Sequence, residues 1–176
     1  RVLTARDAAH KRLVDLIAKG QPLPVDLRDR VIYYVGPVDA VGDEAVGPAG
    51  PTTATRMDKF VETLLSQTGL LAMIGKAERG PQAVAAIRRH GAAALVATGG
   101  AAYLLSKAIT ASRVIAFAEL GMEAVHEFEL QDFPVTVAVV EPTGSEVQLV
   151  GRTAGGDEIV ANFRERHAFS PGETIR

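Results

Sequence analysis

A mixed α/β domain, parallel βαβ units first and an antiparallel meander after them, is the fold class the sequence predicts. Three observations predict it. Short runs of β-branched, aliphatic or aromatic residues at 31–35, 70–74, 92–97 and 112–117 read as strands. Segments of helical period lie between them, so strand and helix alternate from residue 31 to about 118, the pattern of a mostly parallel sheet with right-handed crossovers. After Gly121 the pattern changes. Residues 126–130 alternate polar with apolar, Asp132-Phe133-Pro134 turns the chain, 135–140 is a second run, 142–145 a second turn and 147–150 a third run.

Taken in order, Thr4 is a candidate N-cap for a first helix, with Asp7 where a capping-box acid would stand. Ala9, Leu13, Leu16 and Ile17 give that helix its apolar stripe, and Gly20 stops it. A polar, Pro-containing connection at 21–30 leads to the strand at 31–35, which Gly36-Pro37 ends. Residues 38–51 are rich in Gly, Pro, Ala and acid, and loops of this length are usually functional or disordered. The next helix carries Met57, Phe60, Val61, Leu64 and Leu65 inward and runs to about Gln67. The strand at 70–74 ends on Gly75-Lys76, Pro81 suits the first position of the following helix, and Gly91 stops it. Thr98-Gly99-Gly100 separates the strand at 92–97 from a helix at 101 to about 109. The domain is set at 1–150, followed by a C-terminal tail at 151–176 in which Gly, charge and Pro dominate and which is expected to be ordered in part or bound to a partner.

Composition narrows the function. With 176 residues, 47% of them hydrophobic, one domain can bury a proper core. Charged residues make up 23% and the net charge is -2, which argues for no nucleic-acid and no membrane partner. The chain has no cysteine, which excludes a disulfide framework and any Cys-ligated zinc or iron–sulfur cluster held by this chain alone, so no metal site is expected in it. No apolar run reaches the ~18 residues of a membrane span, and no signal peptide is visible. These features fit a reducing compartment, and the expected location is cytoplasmic. The first residue is Arg1 rather than Met, so the native N-terminus is expected upstream. His10, His90, His126 and His167 show no metal-ligand spacing, and the adjacent acids Asp43 and Glu44 read as solvated.

The chemistry collects around the stretch from Gly47 to Asp58. A loop of small residues enters a helix start there. Thr52 and Thr53 are N-cap residue types, and the free N–H groups of a first turn favour an anion. Arg56 adds a planar, permanently charged fork suited to carboxylate or phosphate. Lys76 directly follows a strand, where open α/β sheets bind ligands. Arg6 sits in the first turn of its helix, a slight mismatch with the positive end of the dipole that marks it for a task. The two glycines at 99–100 are a weak anion cue, and match neither a dinucleotide fingerprint nor a P-loop. On chemistry alone the alternatives are a capped helix behind a tight loop, a solvated arginine and a surface lysine.

Six segments, in order from residue 4 to about 140, then resemble one family. They are Thr4-Ala-Arg-Asp-Ala-Ala-His10, Gly50-Pro-Thr-Thr-Ala-Thr-Arg-Met-Asp58, Met73-Ile-Gly-Lys76, Thr98-Gly-Gly-Ala-Ala102, Glu119-Leu-Gly-Met-Glu-Ala124 and Asp132-Phe-Pro134. The chain is similar to the C-terminal domain, or β-subunit, of the class I (iron–sulfur) fumarases and L-tartrate dehydratases. It departs from that pattern at Thr55 and after Lys76, where Ala77-Glu-Arg-Gly80 replaces a glycine-rich turn. The resemblance implies a three-layer swivelling β/β/α fold. It implies a hydro-lyase that interconverts fumarate plus water with (S)-malate, using a [4Fe–4S] cluster ligated by the cysteines of an iron–sulfur α-subunit. That partner joins this chain in an α2β2-like oligomer, with a homodimer expected when the chain is isolated. The resemblance also implies that Arg6 and Arg56 bind substrate carboxylates, that Thr52 takes the proton from the malate carbon, and that Lys76 binds substrate or stabilises charge. An L-tartrate dehydratase β-subunit is the alternative enzyme. A non-catalytic anion-binding or assembly module of the same fold is the alternative from another class.

Overall fold

The computed structural model describes residues 1–139 and two further strands at 147–152 and 158–163. Its elements are β1 (Val2–Thr4), α1 (Asp7–Ala18), β2 (Val31–Tyr33), a 3-10 turn (Ala54–Met57) leading into α2 (Asp58–Thr68), β3 (Ala72–Gly75), α3 (Pro81–Arg89), β4 (Ala93–Val96), α4 (Ala102–Ser106) and β5 (Ile109–Ala116). A second 3-10 stretch (Ala118–Glu123), β6 (Val125–Leu130), β7 (Thr136–Val139), β8 (Val147–Arg152) and β9 (Glu158–Phe163) follow. Seven strands form one sheet in the order β5-β6-β1-β2-β3-β4-β7, and β8 pairs with β9 in a separate ribbon.

Strands β1 to β4 lie side by side in sequence order and run parallel. Each crossover therefore steps the same way, and right-handed crossovers that always step the same way place α1, α2 and α3 on one face. The strand pattern agrees, because alternate residues point to opposite faces. Leu3, Ile32, Met73 and Ala94 meet the helices, packing with Leu13, Phe60, Leu64 and Ile87. Val2, Tyr33, Ile74 and Leu95 face the other way, where Val46 and Ala49 of the long 38–51 loop, Leu105 of α4 and Phe133 cover them. That loop is thus a second packing layer: the Tyr33 hydroxyl donates to the Ala49 carbonyl at 2.7 Å, and its ring stands edge-on to Phe133 at 5.2 Å between centroids. Fully burying one such large apolar side chain contributes about 1.5–3 kcal/mol.

The mixed α/β class holds, and four local expectations change. Residues 2–4 form a central strand that three residues are too few to announce. Thr4 is then not a cap: it ends β1, buried, donating to the Ala124 carbonyl at 3.3 Å and accepting from the His126 amide at 2.9 Å. Nor do Thr52 and Thr53 cap α2, because the 3-10 turn intervenes and neither turn nor helix has a side-chain cap. The fourth helix stops at Ser106, and the chain from 109 to 116 runs antiparallel to β6 at the far edge of the sheet, not parallel beside β4. The later strands flank the parallel core on both sides instead of meandering. β6 already has β1 and β5 as neighbours, so β7 can pair only elsewhere, and it closes the open edge of β4. Of the 151–176 tail, only 151–152 and 158–163 lie within the described residues.

One ion cluster ties β6 across the sheet. Glu127 takes Arg30 at 2.5 Å on one oxygen and Arg113 at 2.7 Å on the other. Arg30 first and Arg113 next bring its carboxyl from 4.5 down to about 2. A lowered folded value means that this contribution is complete above 4.5 and fades as the pH falls toward 2. Because Arg113 is largely exposed and solvent screens it, we expect Glu127→Gln to lose only about 1 kcal/mol at neutral pH. In chemical denaturation the gap from wild type should close as the pH drops through that window.

Candidate active site

The C-terminal ends of the parallel strands gather the residues that the sequence marks. Beyond β2 and β3, the chain around Thr52 enters as a short extra strand between them. The Thr52 amide donates to the Tyr34 carbonyl at 2.6 Å, the Lys76 amide to the Thr52 carbonyl at 3.1 Å, and the Ala54 amide to the Lys76 carbonyl at 2.9 Å. Thr53 and Lys76 form a parallel bridge. This close approach needs glycine at 75, where a Cβ would stand 3.0 Å from both the Ala54 Cβ and the Tyr34 ring. Thr52 is buried and Lys76 half-buried. The lysine stem passes Gly99, where a Cβ would lie 3.4 Å from its Cδ, so Gly99 makes a wall for Lys76. Among the described residues the Lys76 ammonium has no ion-pair partner.

The two arginines are joined through Asp7. Arg6 occupies the junction between β1 and α1, with extended backbone. Its Nε lies 3.2 Å from Glu123 Oε1 and 3.8 Å from Asp7 Oδ2. Arg56, on the 3-10 turn, donates from Nε to Asp7 Oδ1 at 3.2 Å and from Nη2 to Asp7 Oδ2 at 2.7 Å. That fork uses the Nε side of the guanidinium and leaves its Nη1 side for a second carboxylate. Arg6 is ion-paired at its Nε without a hydrogen bond there. Glu123 serves twice, since its Oε2 accepts from the Ala8 amide at 2.7 Å and satisfies a first-turn donor of α1 that no cap residue reaches. Gly36 leaves room for Arg6, because a Cβ there would sit 2.9 Å from the Arg6 Cδ and Nη1.

A layer of buried polar groups supports this edge. His10 is fully buried, with Nδ1 3.0 Å from the Arg6 carbonyl and its ring against Tyr34 and Phe60. Burial, chiefly, pushes its pKa from 6.5 down to about 4, so the ring is neutral at pH 7 and Nδ1–H is the donor to that carbonyl. Burial also raises the Tyr34 phenol. Arg79 reaches the Tyr34 hydroxyl at 3.1 Å and Asp58 at 2.9 Å.

The structure brings Arg6 and Arg56 together through one carboxylate, and Thr52 and Lys76 together through backbone pairing. Tyr34 and Gly36, just beyond β2, lie between the two pairs. Sequence reasoning missed Asp7 and Glu123 as holders of the arginines, and Gly36, His10 and Arg79 as supports. Asp58 closing the 50–58 motif was the one available signal, since an acid there calls for a cation. His90 pairs with Glu62, and Glu44 with Lys107, both on the surface. His167 lies outside the described residues. The chain has no cysteine, and among the described residues no group of three or more His, Asp or Glu could hold a metal ion, so these residues do not fit an iron–sulfur cluster. No helix among the described residues is long and apolar enough to cross a membrane.

Comparison with known proteins supplies the family. The fumarase C-terminus family matches residues 1–149. The chain is 40% identical to the anaerobic class I fumarate hydratase of Escherichia coli K12 over 139 residues, 78% of this chain and 25% of that protein. It is 38% identical to fumarate hydratase 2 of Leishmania major over 147 residues, 83% of this chain and 26% of that protein. A putative L(+)-tartrate dehydratase subunit beta of Methanocaldococcus jannaschii is 32% identical over 151 residues, 84% of this chain and 77% of that protein. The chain thus spans about a quarter of the fumarate hydratases it matches.

Proposed function

The chain belongs to the fumarase C-terminus family, and from that premise we propose that it is the carboxylate-binding part of a two-part iron–sulfur dicarboxylate hydro-lyase, fumarate hydratase first. One observation carries the reading: two guanidiniums each pair with a carboxylate at Nε, at the same strand ends as a lysine with no ion-pair partner among the described residues. A dicarboxylate needs two fixed cationic forks, and fixing it in place supplies much of the rate advantage. In the dehydration direction the malate carbon next to one carboxylate loses a proton, and the neighbouring carbon loses hydroxide, giving fumarate and water. Arg6 and Arg56 hold the two carboxylates. Thr52 stands as the acceptor of the carbon-bound proton. Lys76 stabilises the charge that builds on the adjacent carboxylate as that proton leaves. A threonine hydroxyl is a poor base in water, so its part depends on the cations beside it, which favour the oxyanion.

A [4Fe–4S] cluster bound by an iron–sulfur partner would supply a Lewis acid for the leaving hydroxyl. The partner must bring the cysteines, because this chain has none. An L-tartrate dehydratase β-subunit is the second reading. One observation favours it: the putative archaeal L(+)-tartrate dehydratase subunit beta is similar to this chain over 84% of this chain's length, at 32% identity.

Anaerobic reconstitution with the cluster-loaded partner tests both. We expect fumarate hydration by the complex, none by the isolated chain, and at least a hundredfold lower turnover with Lys76→Ala, the order of loss for one charge-stabilising donor. Tartrate turnover instead would keep the mechanism and move the substrate. No turnover of either, in a complex that forms and retains its cluster, would return the chain to a non-catalytic anion-binding or assembly module.

A further inference from the structure

We propose that Arg79 is a positioning residue for this site: one buried guanidinium fixes the three segments that carry Thr52, Arg56 and Lys76. The proposal rests on reading those residues as the dicarboxylate site, but its central test does not depend on turnover. The Arg79 side chain is only 3% exposed. An arginine is almost never so deeply buried unless it is paired, because its charge must be compensated inside the protein.

The compensation comes from the segments that bear the site. Asp58 Oδ1 lies 2.9 Å from Arg79 Nε. Asp58 opens α2 directly after the 3-10 turn on which Arg56 stands. Its other oxygen accepts from the Gly80 amide at 2.7 Å, so one carboxylate pairs with the Arg79 charge, without a hydrogen bond, and holds the backbone that follows. Arg79 Nη1 donates to the Tyr34 hydroxyl at 3.1 Å, and the guanidinium carbon lies 5.3 Å from the centre of that ring. Tyr34 is the residue whose carbonyl receives the Thr52 amide, and its own amide bonds the Ile74 carbonyl at 2.8 Å.

The loop between Lys76 and Arg79 needs such a clamp. Ala77 has φ +59°, the left-handed region that glycine enters without strain and alanine does not. Strain next to Lys76 persists only where neighbouring contacts over-determine the loop, and the Arg79–Asp58–Gly80 closure does so. Arg79 is thus fixed at both ends of its role. It is anchored in the core beneath β2 and α2, and it sits three residues along the chain from Lys76.

Amide hydrogen exchange in the assembled protein, with steady-state kinetics alongside, tests the proposal. In Arg79→Gln we expect the amides of Thr52, Ala54 and Lys76 to exchange at least tenfold faster, while the amide of Ala5, bonded to the Tyr33 carbonyl on the β1 side, is unchanged. Kcat should fall at least tenfold and KM should rise with it, since the segment of Arg56, read as holding one carboxylate, loosens together with that of Lys76. Arg79→Lys, which keeps the charge but loses the fork, should fall between the two. Should Arg79→Gln fail to fold, Tyr34→Phe deletes only the hydroxyl and should show the same local pattern at smaller amplitude. Equal acceleration at Ala5 and at the site would make Arg79 a purely structural residue and overturn the proposal, as would unchanged exchange at all four. Local acceleration in a protein whose wild type turns over no dicarboxylate would uphold the positioning role and reject the hydro-lyase reading.

Discussion

Arg6→Met in the assembled enzyme should lower kcat/KM for the dicarboxylate by about 10²–10³, the order of loss when one preorganised cationic contact is removed. The substitution keeps most of the stem volume, so packing against Gly36 survives and the melting temperature should stay within a few degrees. Gly36→Ala reaches the same guanidinium without touching its charge. Its new Cβ would meet the Arg6 Cδ and Nη1 at 2.9 Å and the Met122 carbonyl at 3.1 Å. The carbonyl is backbone and cannot move aside, so the arginine must, and a displaced fork should appear mainly as a higher KM. Asp7→Asn is the third arm. Asp7 holds Arg56 by two hydrogen bonds and lies 3.8 Å from Arg6, so removing its charge should loosen both arginines despite its exposure. If Arg6→Met and Gly36→Ala leave kcat and KM unchanged while Lys76→Ala abolishes turnover, the carboxylate contact belongs elsewhere.

The parts of this molecule legible in the sequence are those whose signal is local. Strands β2, β3 and β4 read from continuous apolar runs because both their faces are buried. Helices α2 and α3 read from their stripes, and α3 also from Pro81 at its start. Lys76 could be marked because it follows a strand, Arg6 because it stands at a helix start, and Thr52 and Arg56 because their small-residue loop runs into a helix start. What could not be read depends on partners distant in sequence. Glu123 meets Arg6 from more than a hundred residues away, and nothing around residue 123 shows that its carboxylate satisfies the start of α1. The position of β5 was hidden for a related reason. A strand after a helix looks like another βαβ unit until β6 occupies the edge of β1 and draws β5 to its far side. Arg79 carries no local signal of its burial, because burial is set by tertiary packing, not by its neighbours in sequence.

Acid should destabilise the fold through His10 well before the carboxylates titrate. Its pKa lies near 4 in the folded chain against 6.5 in the unfolded one, because burial penalises the imidazolium. The unfolded chain therefore binds the extra proton first. Stability is complete above pH 6.5 and is lost as the pH falls toward 4, by about 3 kcal/mol in all. The Glu127 cluster acts in a lower window, from 4.5 toward 2, so the two can be separated by pH. His10→Phe should flatten the stability profile between pH 6.5 and 4 while costing about 1 kcal/mol at pH 7, where the Nδ1 hydrogen bond is lost. The Arg6 carbonyl is not orphaned by the change, since it also accepts from the backbone amide of residue 10 at 2.9 Å. Urea titrations at half-unit pH steps provide the check, and an unchanged slope in His10→Phe would place the acid sensitivity elsewhere. The same proton bears on the site. A cation at His10 stands among Arg6, Arg79 and the carboxylate of Asp7, and the nearby Arg79 charge already opposes it. The fold thus keeps the ring neutral, as a donor to the backbone of Arg6, above about pH 4.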